Sequence, residues 1–258
     1  MSWRLRQLPV CASTEIELER WLRRSGSNLN LESSGLVVVA RRQRHGRGQR
    51  GRHWVSPAGG LWLSAAFAWP ADGVGQGAPL TLSVALALCL QLEGLGLSPR
   101  IKWPNDVLLD GHKLAGILPR LRLQGMRVRW AQVGLGLNGI NRVPAGAMAL
   151  GAGLNQARKQ PPLQRQGSRL RRFHPRATPR LLLPLALASL DWSRRHAHER
   201  ELVLQQVEQR LHRPAEGWLH GGQHWRIEGL ADTGGLQLQR AGERICLQGL
   251  DLSPADCA

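Results

Sequence analysis

Lysine is almost missing from this chain. Lysine and arginine together number 35 among 258 residues, and only Lys102, Lys113 and Lys159 are lysine, so 32 are arginine. Arginine serves wherever a generic surface charge is needed, but its planar fork does not replace a compact ammonium that must fit against one oxygen. Lys102 and Lys113 fall in one short stretch, from Ile101-Lys102-Trp103-Pro104-Asn105-Asp106 to Gly111-His112-Lys113-Leu114-Ala115-Gly116. Both are therefore expected to face an anionic ligand. Cysteine is sparse as well. Cys11, Cys89, Cys246 and Cys257 lie far apart with no Cys-x-x-Cys pair, which argues against a zinc site and a disulfide framework and leaves Cys89 as core packing. No apolar run reaches the length of a membrane span, and the start Met1-Ser2-Trp3-Arg4 lacks the apolar block of a secretory signal, so a cytoplasmic location and no membrane association are expected. A Gly-x-x-x-x-Gly-Lys-Ser/Thr phosphate loop is absent too.

What is present is a hydrophobic content of 42%, enough for one sizeable core and a small satellite domain, and a formal charge of +17. Such a charge raises a nucleic-acid reading, because clustered arginines neutralise phosphates. Two clusters carry much of it: Arg41 to Arg52, and Arg158 to Arg180, the latter with no acidic residue and with Pro161, Pro162, Pro175 and Pro179. The second cluster reads as a solvated linker or surface insertion at about 156–180.

Periodicity gives alternating elements. Thr14-Glu15-Ile16-Glu17 has the form of a capping box, and Ile16, Leu18, Trp21 and Leu22 supply the apolar face of a helix. Gly35 to Ala40 and Leu61 to Phe67 predict buried strands. Pro79 opens a helix through Leu92 that Gly94 stops. Asp110-Gly111 predicts a hairpin between Val107-Leu108-Leu109 and Lys113 to Leu118, followed by a strand over Val128 to Leu137. Arg180 to Leu211 predicts one helical stretch. Beyond it, short alternating strands parted by Gly221-Gly222 and Gly234-Gly235 predict a small all-β barrel appended to an α+β domain.

Two segments match Gly-x-Gly-x-x-Gly: Gly46 to Gly51 and Gly134 to Gly139. A dinucleotide site needs such a loop to open a helix, with an acidic residue about 20 positions on. Neither context is right. The first meets no acidic residue before Asp72, and the second runs into Asn141 and Pro144. The first is better read as a glycine-articulated, arginine-rich loop leaving a strand, able to close over an anionic small molecule, since glycine permits close backbone approach and arginine offers forked donors.

Taken in order, Ser13-Thr14, Gln43 with Gly46-Arg47-Gly48-Gln49-Arg50-Gly51-Arg52-His53-Trp54, Lys102-Trp103-Pro104-Asn105-Asp106, Lys113-Leu114-Ala115-Gly116-Ile117-Leu118 and Gly134-Leu135-Gly136-Leu137-Asn138 resemble the signature motifs of biotin protein ligases. The resemblance covers roughly residues 10 to 145 and continues weakly over the tail. It implies an α+β fold, a mixed or antiparallel sheet packed with helices as in class II synthetase-like ligases, over residues 1–211, with a C-terminal SH3-like β-barrel over 212–258. It implies biotin and ATP as substrates, with Mg²⁺: biotin is activated to biotinyl-5′-AMP and passed to a lysine of a biotin carboxyl carrier protein, as in acetyl-CoA carboxylase. It also implies roles. Ser13 and Thr14 would bind the ureido head, with Glu15 beside them. Gln43, Gly46, Arg47 and Gly48 would orient biotin, Gln49 and Trp54 would belong to the closing loop, and Lys113, Gly116 and Asn138 would line the adenylate site. Lys102, Arg50 and Arg52 would be catalytic, through positioning and charge. No metal ligand is assigned.

Two departures stand out: Glu15 where the family usually carries an amide, and Gln49 where it usually carries arginine, which predicts a less tightly held adenylate. Only 12 residues precede Ser13, so no helix-turn-helix and no specific DNA binding is expected; a monomer or a homodimer is. Three other readings stay open at this point: a lipoate–protein ligase, a basic nucleic-acid-binding protein, and an inactive relative used as a binding module.

Overall fold

The computed structural model describes the chain apart from residues 27–29, 71–76, 126, 160–175 and 250–258. Seven strands form one mixed sheet: β1 (Ser2–Leu8), β2 (Ser34–Ala40), β3 (Leu61–Phe67), β4 (Arg100–Lys102), β5 (Asp106–Leu109), β6 (His112–Gln124) and β7 (Arg127–Leu137). Their order is β1-β2-β3-β7-β6-β5-β4, with β1 and β2 parallel and every other pair antiparallel. Successive side chains point to opposite faces. Val37, Leu63, Ala65, Phe67, Ile117, Val133 and Leu135 share one core with α2 (Leu80–Gly94), α4 (Pro179–Arg195) and α5 (Arg200–Arg210). Every residue of α2 from Leu80 to Cys89 is buried, as a helix with no polar face requires. The other face carries α1 (Thr14–Ser25), whose Leu18 packs on Leu36, Val38 and Ala66. Helices thus close one face completely and the other only at the β1–β3 end, leaving the β5–β7 end for a site.

The predicted strands and the hairpin lie where expected, with Asp110 (φ 50°) and Gly111 (φ 77°) both left-handed in the turn. Several details differ. Ser13, not Thr14, caps α1: its hydroxyl accepts from the Glu15 N–H at 3.3 Å, while the Thr14 hydroxyl is engaged elsewhere. Helix α2 runs through Gly94, and the left-handed glycine that follows it is Gly96 (φ 80°). The single helix expected over Arg180 to Leu211 is two. His196 stacks on Trp192 and bonds its carbonyl at 2.8 Å, and buried Ala197 accepts from the Ala78 N–H at 2.7 Å, so a tertiary contact ends α4 where no glycine or proline stands. Strand β1 and helix α3 (Leu150–Lys159) were not foreseen. Most of the basic, proline-rich segment predicted as an insertion lies outside the described residues.

The tail forms β8 (Trp218–His220), β9 (Gln223–Leu230), β10 (Leu236–Arg240) and β11 (Glu243–Leu247), an antiparallel sheet in the order β11-β10-β9-β8. Among the described residues no pairing closes β8 onto β11, so it is an open four-stranded sheet. Its Trp225, Ile227, Leu236 and Leu238 join the same core as the first sheet, and the Trp103 indole donates to the Gly234 carbonyl at 3.0 Å.

No helix among the described residues is long and apolar enough to cross a membrane. Cys11 and Cys89 are buried and unbridged, whereas Cys246 is exposed. Burial, then the nearby Glu17 carboxylate, pushes the Cys11 thiol from its ordinary value of 9.0 up to about 11. The native state thus holds this proton more tightly than the unfolded chain, so the associated stability is present below about pH 9 and lost as pH rises through about 11. At pH 8 an alkylating reagent is expected to modify Cys246 in the native protein and to reach Cys11 and Cys89 only after denaturation. Alkylation of Cys11 at the rate of Cys246 would contradict this placement.

Candidate active site

The site rests on a floor from which side chains have been removed. Three cross-strand rows face away from α2. The first is Lys102–Asp106–Gly116–Gly136–Trp62, the second Leu118–Gly134–Ser64, the third Arg120–Gln132–Ala66. Directly opposed residues share a face, so Gly116, Gly136, Gly134 and Ser64 form a shallow bed of hydrogens and one hydroxyl. Trp54 lies on that bed. A Cβ at Gly136 would come within 2.5 Å of Trp54 Cε2, and one at Gly116 within 2.7 Å of Trp54 Cζ3. Trp62 meets the Trp54 ring edge-on, with centroids 6.5 Å apart.

At one end Gln43 is the hub. Its Oε1 accepts from the Thr14 N–H (2.8 Å) and hydroxyl (3.0 Å), and its Nε2 donates to Ser56 Oγ (2.9 Å). Thr14 Oγ1 also meets Ser64 Oγ at 2.8 Å, and Ser56 Oγ donates to the Trp54 carbonyl at 3.0 Å. The N-terminus of α1, the strand floor and the arginine loop are joined through one amide side chain.

That loop is a small hairpin. Trp54 N–H donates to Gly46 O at 2.9 Å, Gly48 N–H to Arg52 O at 2.8 Å, and the tip Gln49–Gly51 is a tight turn with Arg50 left-handed (φ 56°). A Cβ on Gly46 would clash with the Trp54 carbonyl and the Ser56 hydroxyl, so this glycine is required by packing.

Around the bed is a cavity of about 280 Å³, lined among others by Ser13, Thr14, Gln43, Ser64, Asn105, Asp106, Leu118 and Asn138. Cations dominate its rim: Arg47, Arg52 and Lys113 all line it. Lys113 Nζ lies 2.7 Å from Asp106 Oδ1 and 4.9 Å above the centre of the Trp54 ring, at once in an ion pair and over a π-face. Asp106 is the sole carboxylate in the lining and is committed to that lysine. Among the described residues no cluster of three or more His, Cys, Asp or Glu could cage a metal.

Comparison with known proteins matches residues 15–138 to the biotin/lipoate A/B protein ligase family. Over this segment, just under half of its length, the chain is similar to that family. It is 42% identical over 139 residues to a biotin-(acetyl-CoA-carboxylase) ligase of Paracoccus denitrificans, a match covering 52% of this chain and 54% of the relative. It is 38% identical over 117 residues to the bifunctional ligase/repressor BirA of Bacillus subtilis, covering 45% of this chain and 35% of that protein. The matched part thus spans about half the length of the first relative and about a third of the second. The biotin protein ligase of Aquifex aeolicus, solved with biotin and ATP, shares the fold over 95% of both chains at 23% identity and a TM-score of 0.67.

Of the expected residues, the cavity gathers Ser13, Thr14, Gln43, Arg47, Gly48, Gln49, Arg52, Trp54, Lys113 and Gly116, and Asn138 just past the strand end. Four expected residues stand apart. Gly46 is buried at the base of the hairpin. Glu15 sits behind Thr14, paired with Arg120 at 3.1 Å and Arg47 at 3.7 Å. Arg50 is exposed at the hairpin tip. Lys102 is exposed at the outer end of the first row, on the sheet's site face, close enough to His212 that its charge, after burial, lowers that imidazole's pKa. Ser56, Ser64, Asp106, Gly134 and Gly136 were not singled out as site residues. The available signal was the period-two spacing of small residues in two strands, Ser64 in one and Gly134 and Gly136 in the other.

Gly136→Ala is expected to destabilise the protein by about 1–3 kcal/mol, the usual cost of overpacking, measured as a lower denaturation midpoint. The loss should largely vanish in a Trp54→Ala background. Equal losses in both backgrounds would mean that the ring is not what opposes the methyl.

Proposed function

We propose that this protein is a biotin–protein ligase. The observation that carries the reading is the pairing, in one cavity, of an amide-and-hydroxyl end (Ser13, Thr14, Gln43, Ser64), an aromatic slab on a glycine bed, and a cationic rim. Such a cavity suits an acid whose head is a neutral hydrogen-bonding ring, whose middle is aliphatic, and whose carboxylate ends among arginine and lysine. Its volume of about 280 Å³ lies at the lower edge of small-molecule sites, roughly 300–1,000 Å³. The acid therefore occupies the interior and a nucleotide lies outside it, against the rim. The similar biotin ligase of Paracoccus denitrificans and the Aquifex aeolicus ligase solved with biotin and ATP point the same way.

In this reading Thr14 and Gln43 orient the head while Trp54 covers the chain and keeps water from the carboxylate. The carboxylate oxygen attacks the α-phosphorus of ATP, the bond to the bridging oxygen breaks, and pyrophosphate leaves with that electron pair. Lys102 at the end of the row, with Arg52 and Arg50 from the hairpin, offsets the charge that builds on phosphorus. The mixed anhydride is then attacked at its acyl carbon by a neutral lysine amine of the acceptor, and AMP departs as the amide forms. Mg²⁺ would come with the nucleotide and supply neutralising charge at its phosphates, since this ion favours phosphate and water ligands. The acceptor is a biotin carboxyl carrier domain of the acetyl-CoA carboxylase type. Residues 1–211 form the catalytic unit, and the tail from 212 is the small SH3-like β domain of such ligases.

Incubation with biotin, α-labelled ATP and Mg²⁺, without acceptor, is expected to yield labelled biotinyl-adenylate; failure with biotin alongside success with lipoate would transfer the assignment to the sister activity. Lys102→Ala should abolish biotin-dependent pyrophosphate exchange while the fold, followed by circular dichroism, stays intact. Exchange near the wild-type rate would remove Lys102 from the reaction. Gln49→Arg restores a forked donor to the rim and should slow adenylate release about tenfold, the scale of one charge-assisted hydrogen bond; an unchanged release rate would show that position 49 does not govern retention.

A further inference from the structure

Glu15 has the burial of a core residue, 9% exposed, on a protein of charge +17, and it does not line the cavity. Its two oxygens are divided. Oε1 meets Arg120 of β6 at 3.1 Å, and Arg120 is also held by Glu19 at 3.4 Å. Oε2 is buried, accepts no hydrogen bond, and has Arg47 at 3.7 Å as its ion-pair partner. Arg47 is half exposed, lines the cavity, and stands opposite His53 in the hairpin ladder, one residue before Trp54. Among the described residues this is the one ion pair between the 46–54 hairpin and the rest of the protein.

We propose that Glu15 is a positioning residue whose carboxylate holds Arg47, and with it the 46–54 hairpin, in the arrangement that completes the cavity. A buried oxygen without a hydrogen bond is costly, and a neutral amide at this position would avoid part of that cost. What the charge adds is direction. The negative end of α1's first turn, at the helix terminus that favours an anion, draws Arg47 toward the cavity wall. Because Arg47 opposes His53, this keeps Trp54 in register over Gly116 and Gly136. The contact is long and half solvated, weak enough for Arg47 to be handed over to an incoming carboxylate or phosphate. Glu15 thereby makes the hairpin closed but releasable before ligand arrives. The proposal rests on the ligase reading only for the identity of that ligand.

The test is amide hydrogen exchange at Gly48, Arg52 and Trp54 in the ligand-free full-length protein. Glu15→Gln and Arg47→Gln should each speed exchange at these amides about tenfold, and the double variant should be no faster than the faster single, the mark of a shared interaction. Arg120 keeps Glu19 in these variants, so α1 stays anchored to β6. Glu15→Asp, which retains the charge and shortens its reach, should fall between wild type and Glu15→Gln. In the biotin-activation assay both single variants should raise KM for biotin about fivefold with kcat within about twofold, the pattern of lost binding and not lost chemistry. Unchanged hairpin exchange in Glu15→Gln, or additive effects in the double variant, would overturn the proposal and leave Glu15 as an anchor for Arg120 alone. Since exchange is read without ligand, a failure of the wild-type protein to activate biotin bears on the functional reading and not on this one.

Discussion

Trp54 can lie flat on the sheet only because Gly116 and Gly136 carry no side chains, and most of the site follows from that contact. With the ring on the glycine bed, the hairpin that bears it is pinned to β6 and β7, Lys113 finds a π-face beneath its ammonium, and Ser64 and Gly134 in the next row stay open for a ligand. A single methyl on either glycine would lift the ring and with it the cavity wall. The interior on the opposite face of the same strands is as densely filled as the bed is bare, so strand alternation builds core and site from the same residues.

Polar chemistry is then added with few atoms. Gln43 satisfies Thr14 and Ser56 at once, and Thr14 reaches Ser64, so a change at any of these is felt by the helix start, the hairpin and the floor together. Outside this network the rim is cationic because arginines 47 and 52 and Lys113 meet only one carboxylate in the lining, Asp106. An anion entering the cavity is met by charges already held in place, which lowers the reorganisation needed to bind it. Glu15, behind the wall, gives one of those arginines its direction.

Much of the resemblance carried by short motifs comes together in three dimensions, Gly46, Arg50 and Lys102 apart, because most of these motif residues lie on the cavity side of their own element. Ser13-Thr14 starts a helix, the Gly/Arg run leaves β2 as a hairpin, and Lys113 to Leu118 and Gly134 to Asn138 are neighbouring strands. Local rules were less secure where long-range packing intervened. The capping box placed at Thr14 fails because that hydroxyl is worth more to Gln43 and Ser64 than to its own helix. The long helix after Arg180 breaks because Ala197 must be buried beneath Ala78. The tail's alternation and glycine pairs are real, but they specify strands and turns, and what they form here is an open sheet whose apolar side is shared with the main core.

The sequence by itself therefore determined the order of the main elements, the Asp110-Gly111 hairpin and many of the residues that line the cavity, since hydrophobic period, turn residues and motif spacing are local properties of a chain. Which glycines of a Gly-x-Gly strand lie under Trp54, that Glu15 stands behind the cavity and not in it, that Lys102 stands apart from the cavity near His212, and that Asp106 is taken by Lys113 were decided only by the tertiary structure. The reason is register. A strand's side chains choose a face only when its neighbours are paired, and a one-residue slip would exchange bed for core.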